Sequence, residues 1–534
     1  MNRRLLIVVL CCFVVSINNA QSNYRKKFEQ IGIAQHDFFE HTRSERQKRF
    51  DQIRRNQTQR YVEQLRKRWM LLDAIAPLSS VERNQIIPIE YVDTIVTPTV
   101  ITHTAEEHSS SLKAINTEAI EKIVIDTTLK DGGLVRTNED IIFLPKPTPQ
   151  PQPIADILPI KQEFDLVSTA LYGTLMSVAF PKNADLHLQN VDENAIATLW
   201  QQIADTVVPS RFDMTIVSCL KNRDELKLCD WTYLKMVQAI AKRRYGNTNE
   251  ATIFAAYIMA ESGYKIRLAF TENYVYMLLA SQHEIYQMSR FFLDDEWYYM
   301  IDGRGESSCY ISNVGYDKEQ KFSLFIASEQ KIESELSDTV VATSRKGWAL
   351  PVQTNLNMID FYDEYPTGRI EYGQESSKWL LSVNTPLDSV TKAVLYPQLR
   401  DSIKGLSSWQ ATSMILNWVQ TALHYELDEN VWGYDRIFFP TETLHYPASD
   451  CEDRAILFTN LIRDIMGLEV ILLYYDNPCH LATAVHFPVE ETDGEYVMYN
   501  NKRYVVCDPT YINAPVGKQM SYFKGVEAQI IVID

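Results

Sequence analysis

Apolar positions follow two different periods along this chain. Between residues 24 and 72, Phe50, Ile53, Tyr61, Leu65, Trp69 and Leu72 recur on steps of three or four, while Lys and Arg outnumber Asp and Glu by thirteen to six. One apolar stripe on a basic background predicts a long amphipathic helix within 21–80. It either packs on the acidic remainder of the chain or forms a stalk that touches an anionic envelope surface or a partner. Residues 85–104 are rich in Ile, Val and Thr, which predicts one or two strands and a small β-rich region over 81–144. The alternate prolines of PKPTPQPQP, Pro145 to Pro153, then predict a semi-rigid extended linker over 145–159.

A repeated pattern follows. NTNEATIFAAYIMAESGYKIRL, from Asn247, and CEDRAILFTNLIRDIMGLEVIL, from Cys451, match at a constant offset of 204: Ala251 meets Ala455, Phe254 meets Phe458, Ile258 meets Ile462, Gly263 meets Gly467 and Ile266 meets Val470. Each reads as a helix stopped by glycine and followed by an apolar strand. Each is preceded by an amphipathic helix, Trp231–Arg244 and Trp409–Leu427. Two related α+β units are expected, at 160–330 and 376–534, joined by a connector at 331–375.

Length and composition agree with several units. At 534 residues the chain exceeds one ordinary core, and 46% hydrophobic with 23% charged residues is globular composition. A net charge of -17 argues against a general nucleic-acid binder. Arg3 and Arg4, the apolar run Leu5–Ile17 and Asn18-Asn19-Ala20 read as a signal peptide over 1–20, so export to a periplasm or the outside is expected. No later stretch reaches the length of a membrane span, and Cys11 and Cys12 sit inside the apolar run in a poor context for lipid attachment. Six cysteines follow the signal: Cys219, Cys229, Cys309, Cys451, Cys479 and Cys507. That is too few for a disulfide scaffold, so a thiol kept free outside the cytoplasm needs a reason.

Cys451 supplies one. It opens a helix behind Ser449 and Asp450, where unpaired N–H groups and the helix dipole favour thiolate. Asp450, Glu452 and Asp453 crowd it with negative charge, so an activating base is required. On the strand pattern NPCHLATAVHF, His480, Ala482, Ala484 and His486 share a face. The strand RYVVCDPTY then delivers Asp508. Cysteine, histidine and aspartate in this order supply nucleophile, base and orienting carboxylate. His486 is the rival base, but it lies roughly 20 Å further along the strand.

These motifs resemble the transglutaminase-like superfamily of papain-like thiol enzymes: a D-C-E-D motif opening a core helix, a strand beginning with His, and a strand ending in Asp-Pro-Thr, over about residues 400–515. The resemblance implies catalytic Cys451, His480 and Asp508, amide chemistry on a protein or peptide substrate, and no metal or organic cofactor. Hydrolysis by a peptidase or amidase is favoured over cross-linking to a lysine amine, because no acceptor-selecting feature stands between the motifs. A non-catalytic scaffold with a vestigial triad is the alternative. In the first unit Asn247 stands at the cysteine position, the base position falls near Tyr276, and Asp302 lies near the acid position, so that unit is expected to be inactive and to pack on or extend the groove of the second. Cys479–Cys507 is open as either a cross-strand disulfide or two thiols, and Cys219–Cys229 as a local disulfide.

Overall fold

A computed structural model describes residues 48–49, 52–78, 90, 133–153, 163–182, 184–204, 212–303, 305–488 and 493–533. The proposed signal peptide lies outside them. The fold is α+β, built on two six-stranded sheets. The first runs in the order Trp69–Asp73, Ser308–Ser312, Ile266–Phe270, Val275–Ala280, Glu296–Ile301, Arg290–Leu293, antiparallel throughout. The second, read from the matching edge, runs Thr137–Phe143, Ala528–Val532, Val470–Tyr475, His480–His486, Lys502–Cys507, Tyr496–Tyr499; only its first pair is parallel.

The two sheets share more than strand order. Leu268 opposes Met277 and Met277 opposes Ile301; Leu472, 204 residues after Leu268, opposes Thr483, and Thr483 opposes Cys507, the offset having become 206 in these two strands. The outer hairpins turn through Asp294-Asp295 and Asn500-Asn501, all four at positive φ (50°, 59°, 49° and 59°), a two-residue turn whose twist suits paired strands. Helix Asn249–Glu261 leads into the first sheet and helix Cys451–Met466 into the second. Gly467 closes the latter in the left-handed region at φ 65°, its N–H returning to the Arg463 carbonyl. Gly263, at φ 94°, ends the former, and a Cβ there would stand 2.2 Å from the Gln152 carbonyl oxygen.

The core is continuous between the units. Ala455, Ile456, Leu472 and Leu481 of the second, with its Trp379 and Phe439, join the helices of the first in one buried cluster. Helix Cys451–Met466 is therefore covered on every side: all of residues 451–462 are buried. Helices Ser408–Ala422 and Pro440–His445 pack on it, and the sheet lies across another face.

Several expectations are corrected. The basic segment is helical over 52–65, but Trp69 and Leu72 belong to strand Trp69–Asp73, because Ser308–Ser312 offers an edge that pairs with them. Tyr61 and Leu65 pack inward, and Arg54 bonds Asp213 at 2.9 Å and Glu261 at 3.0 Å, so this portion packs on the acidic remainder. The proline tract is docked rather than spanning open space: Gln150 Nε2 donates to the Leu228 carbonyl and to Asp230, and Arg223 donates to the Pro151 carbonyl. Of residues 85–104 only Glu90 is described, and the strand Thr137–Phe143 is an edge of the second sheet instead of part of a separate region. The connector carries a hairpin, Val340–Thr343 with Ala349–Val352, whose Leu350 and Val352 enter the second unit's core.

None of the cysteines 219, 229, 309, 451, 479 and 507 is in a disulfide. Cys507 opposes Thr483, four residues along the strand from Cys479, which is about 13 Å at 3.3 Å per residue and beyond disulfide reach. Among the described residues no helix is long and apolar enough to cross a membrane.

Candidate functional site

Cys451 occupies the first position of its helix, and two neighbours fix it there. Asp453 accepts from the Asp450 N–H at 3.2 Å and from the Phe438 N–H at 2.9 Å. Arg454, fully buried, donates to the Gln420 and Leu423 carbonyls and to Ser449 Oγ, tying the helix start to the end of helix Ser408–Ala422. The Cys451 thiol is itself buried and donates to Glu452 Oε2 at 3.0 Å.

His480 heads its strand, opposite Tyr475. Its ring is stacked on Phe523, with centroids 4.9 Å apart and planes 8° from parallel, and Phe523 stacks in turn on Tyr475. Nε2 meets Asp508 Oδ2 at 2.9 Å. The other Asp508 oxygen accepts from the Thr510 N–H and hydroxyl at 2.9 and 2.7 Å, and its carbonyl accepts from Gln420 Nε2. Burial would raise the Asp508 pKa, but the imidazole and these donors outweigh it and hold the carboxyl below its ordinary range. His480 Nδ1 is buried and finds no hydrogen-bond partner among the described residues. The structure thus brings His480 and Asp508 together, while the Cys451 S–H donates to Glu452 and not to Nδ1. His486 is turned elsewhere, its Nδ1 on the Arg503 carbonyl at 3.0 Å.

An acidic shell surrounds the thiol. Asp428, Asp435, Asp450, Glu452 and Asp453 are all buried. Ligand atoms of Asp428, Asp450 and Asp453 lie within 4.8 Å of one another, as do those of Asp428, Asp435 and Glu452, and those of Asp450, Cys451 and Glu452. The two all-oxygen sets are the donor type a hard divalent cation takes. Protons serve the same end: burial, with Asp428 and Glu452 close by, pushes Asp453 well above the usual carboxylate range. Lys378 supplies the opposite charge, bonding Asp435 at 2.7 Å. Burial opposes its ammonium, yet Asp435 and Glu452 win and raise its pKa, with the Cys479 thiol adding to the effect.

The sequence flagged Glu452 and Asp453 only as repulsive neighbours, and Thr510 only as part of Asp-Pro-Thr. Lys378, Asp435, Gln420 and Phe523 carry no local signal, because each acts across the fold. In the first unit, strand register puts Tyr274, two residues before the expected Tyr276, at the place of His480, and Asp302 at the place of Asp508. Asn247 precedes its helix, which begins two residues later than the offset requires. No protein-family model matches the chain, and no curated protein matches it either.

Proposed function

We propose that the chain is an exported thiol enzyme of transglutaminase-like, papain-like type, acting on amide bonds of a protein or peptide through Cys451, His480 and Asp508. The observation that carries this reading is the buried imidazole at the head of a strand, held by a carboxylate on Nε2 and unpartnered at Nδ1. A structural histidine would have both nitrogens engaged. The shared strand order and register of the two units support a duplicated domain with its working triad in the second.

In this mechanism the thiol turns from Glu452 toward His480, and Nδ1 takes its proton. The thiolate attacks the amide carbonyl, forming a C–S bond; the imidazolium returns the proton to the leaving amine as the C–N bond breaks. Asp508 stabilises the imidazolium throughout. The Cys451 backbone N–H, at the helix start, faces the developing oxyanion. Water, deprotonated by His480, then cleaves the thioester and releases a carboxylic acid. A lysine amine in place of water would give cross-linking, which is the second chemistry this site allows.

The thiol's bond to Glu452 favours the rival reading, a binding scaffold with a retired cysteine. Iodoacetamide decides between them. The enzyme reading expects alkylation of Cys451 near neutral pH that slows at least tenfold in His480→Ala. Equal rates in both proteins would leave the scaffold. Incubation with a dansylated amine and a protein substrate separates hydrolysis from transfer, since only transfer leaves the dye attached.

A further inference from the structure

The first unit has a cavity of ≈ 260 Å³ where the second has its triad. Asn247, Tyr274 and Asp302, the counterparts of Cys451, His480 and Asp508, all line it, together with Gln238, Lys242 and Tyr276. Neither an asparagine amide nor a tyrosine there can begin acyl transfer, but the polar framework has been kept in altered form. In the second unit Gln420 donates to the Asp508 carbonyl from the preceding helix; in the first, Gln238 donates to Asp302 Oδ2 at 3.0 Å from its own preceding helix. Lys242 adds a second donor to the same oxygen at 3.1 Å. Asp302 sits at φ 55°, in the left-handed region that costs a non-glycine residue energy, whereas Asp508 does not. Its carboxylate meets the preceding helix through Gln238 and Lys242 and lines the cavity.

We propose that this cavity binds a carboxamide without cleaving it: the glutamine or asparagine side chain of a polypeptide, held by Lys242 and Asp302 beside Tyr274 and Tyr276. The charges select the class. A carboxylate ligand meets Asp302 and Glu250, both in the wall. An ammonium ligand meets Lys242. A neutral amide uses both, its carbonyl accepting from Lys242 and its N–H donating to the Asp302 oxygen that Gln238 and Lys242 leave over. Size agrees, since pockets for drug-sized ligands run from about 300 to 1,000 Å³, and this one suits a side chain with its flanking backbone. The choice of an amide rests on the amide-cleaving reading of the second unit; on it, the inactive unit holds the substrate chain at a second point.

The test uses the full chain carrying Cys451→Ala, so that nothing is consumed. The probe is a short acetylated, amidated glycine peptide with one central glutamine beside a benzoylphenylalanine photo-label; a matched probe carries glutamate instead. We expect adducts in 247–252 and 274–277, competed by unlabelled glutamine peptide. Labelling should fall about fivefold with the glutamate probe and about fivefold in Lys242→Met or in Asp302→Ala, the usual weight of one hydrogen bond. Equal labelling by the two probes, full labelling of both variants, or adducts confined to the second unit would overturn the proposal. Alkylation of Cys451 that ignores His480 ends the catalytic reading without changing these adducts, so the two failures are distinct.

Discussion

Glu452→Gln replaces the carboxylate that accepts the Cys451 S–H with a neutral amide whose oxygen can still accept it. The separation is 3.0 Å, and at an effective dielectric of about 20 a unit charge at that range resists thiolate formation by about 5 kcal/mol. Lys378, through Asp435, offsets part of this. Even a quarter of the interaction is about tenfold in thiolate population, since each 1.36 kcal/mol is a factor of ten. The assay is native alkylation by iodoacetamide at pH 7, read as modification of the Cys451-bearing peptide by mass spectrometry, which keeps the half-buried Cys479 out of the signal. Glu452→Gln should react at least tenfold faster than the parent chain. Rates within twofold of each other would mean that the carboxylate does not govern the thiol, and the account of a resting thiol held by Glu452 would be wrong.

Asp508→Asn should lower amide turnover by about 10² to 10⁴ with little change in KM, because the imidazolium loses its stabilising charge; a loss confined to KM would contradict its role. Burial pushes His283 down to about 4 from 6.5. The unfolded chain therefore binds a proton that the folded chain does not between those values, and stability present above pH 6.5 is lost as pH falls toward 4, by up to about 3 kcal/mol. His283→Asn should flatten that part of the acid unfolding curve, and an unchanged slope would refute it. Leu457→Ala, at a fully buried position on the central helix, should cost 2 to 5 kcal/mol in urea unfolding, by about the usual range for such cavities. With Cys479 and Cys507 out of reach of each other and no disulfide among the described cysteines, dithiothreitol should leave the melting temperature unchanged.

What the sequence disclosed was local or repeated. The offset of 204 between the two helix–glycine–strand patterns holds through strands Ile266–Phe270 and Val470–Tyr475 and becomes 206 in the strands that follow, an even shift that keeps each buried face inward where a one-residue slip would turn it outward. His480 and Asp508 were legible because each stands at a strand end, in a motif. The Cys451 thiol's bond to Glu452 was hidden, since adjacent helix residues do not normally face each other and only the buried acidic shell turns the sulfur that way. Trp69 and Leu72 read as helix because their spacing suits one; the open edge of Ser308–Ser312, more than two hundred residues on, made them strand. Lys378 and Asp435 are 57 residues apart, and nothing in either neighbourhood marks them as a pair.

The way the chain distributes strands ties the two units together. The segment before both units gives Trp69–Asp73 to the first sheet and Thr137–Phe143 to the second, so each sheet is completed by residues from outside its own unit. The helix that presents Cys451 then rests Ala455 and Ile456 against a cluster reaching into the first unit. Cutting between the units at the connector would expose that apolar face and unpair an edge strand while leaving the Cys-His-Asp motifs intact in sequence. At about 25 cal/mol per Å² of apolar surface, re-exposing even a few such side chains costs several kcal/mol, comparable with the whole stability of a domain. The second unit is therefore not separable from the first on energetic grounds, and whatever the second unit does would preserve both units whether or not the first ever binds anything.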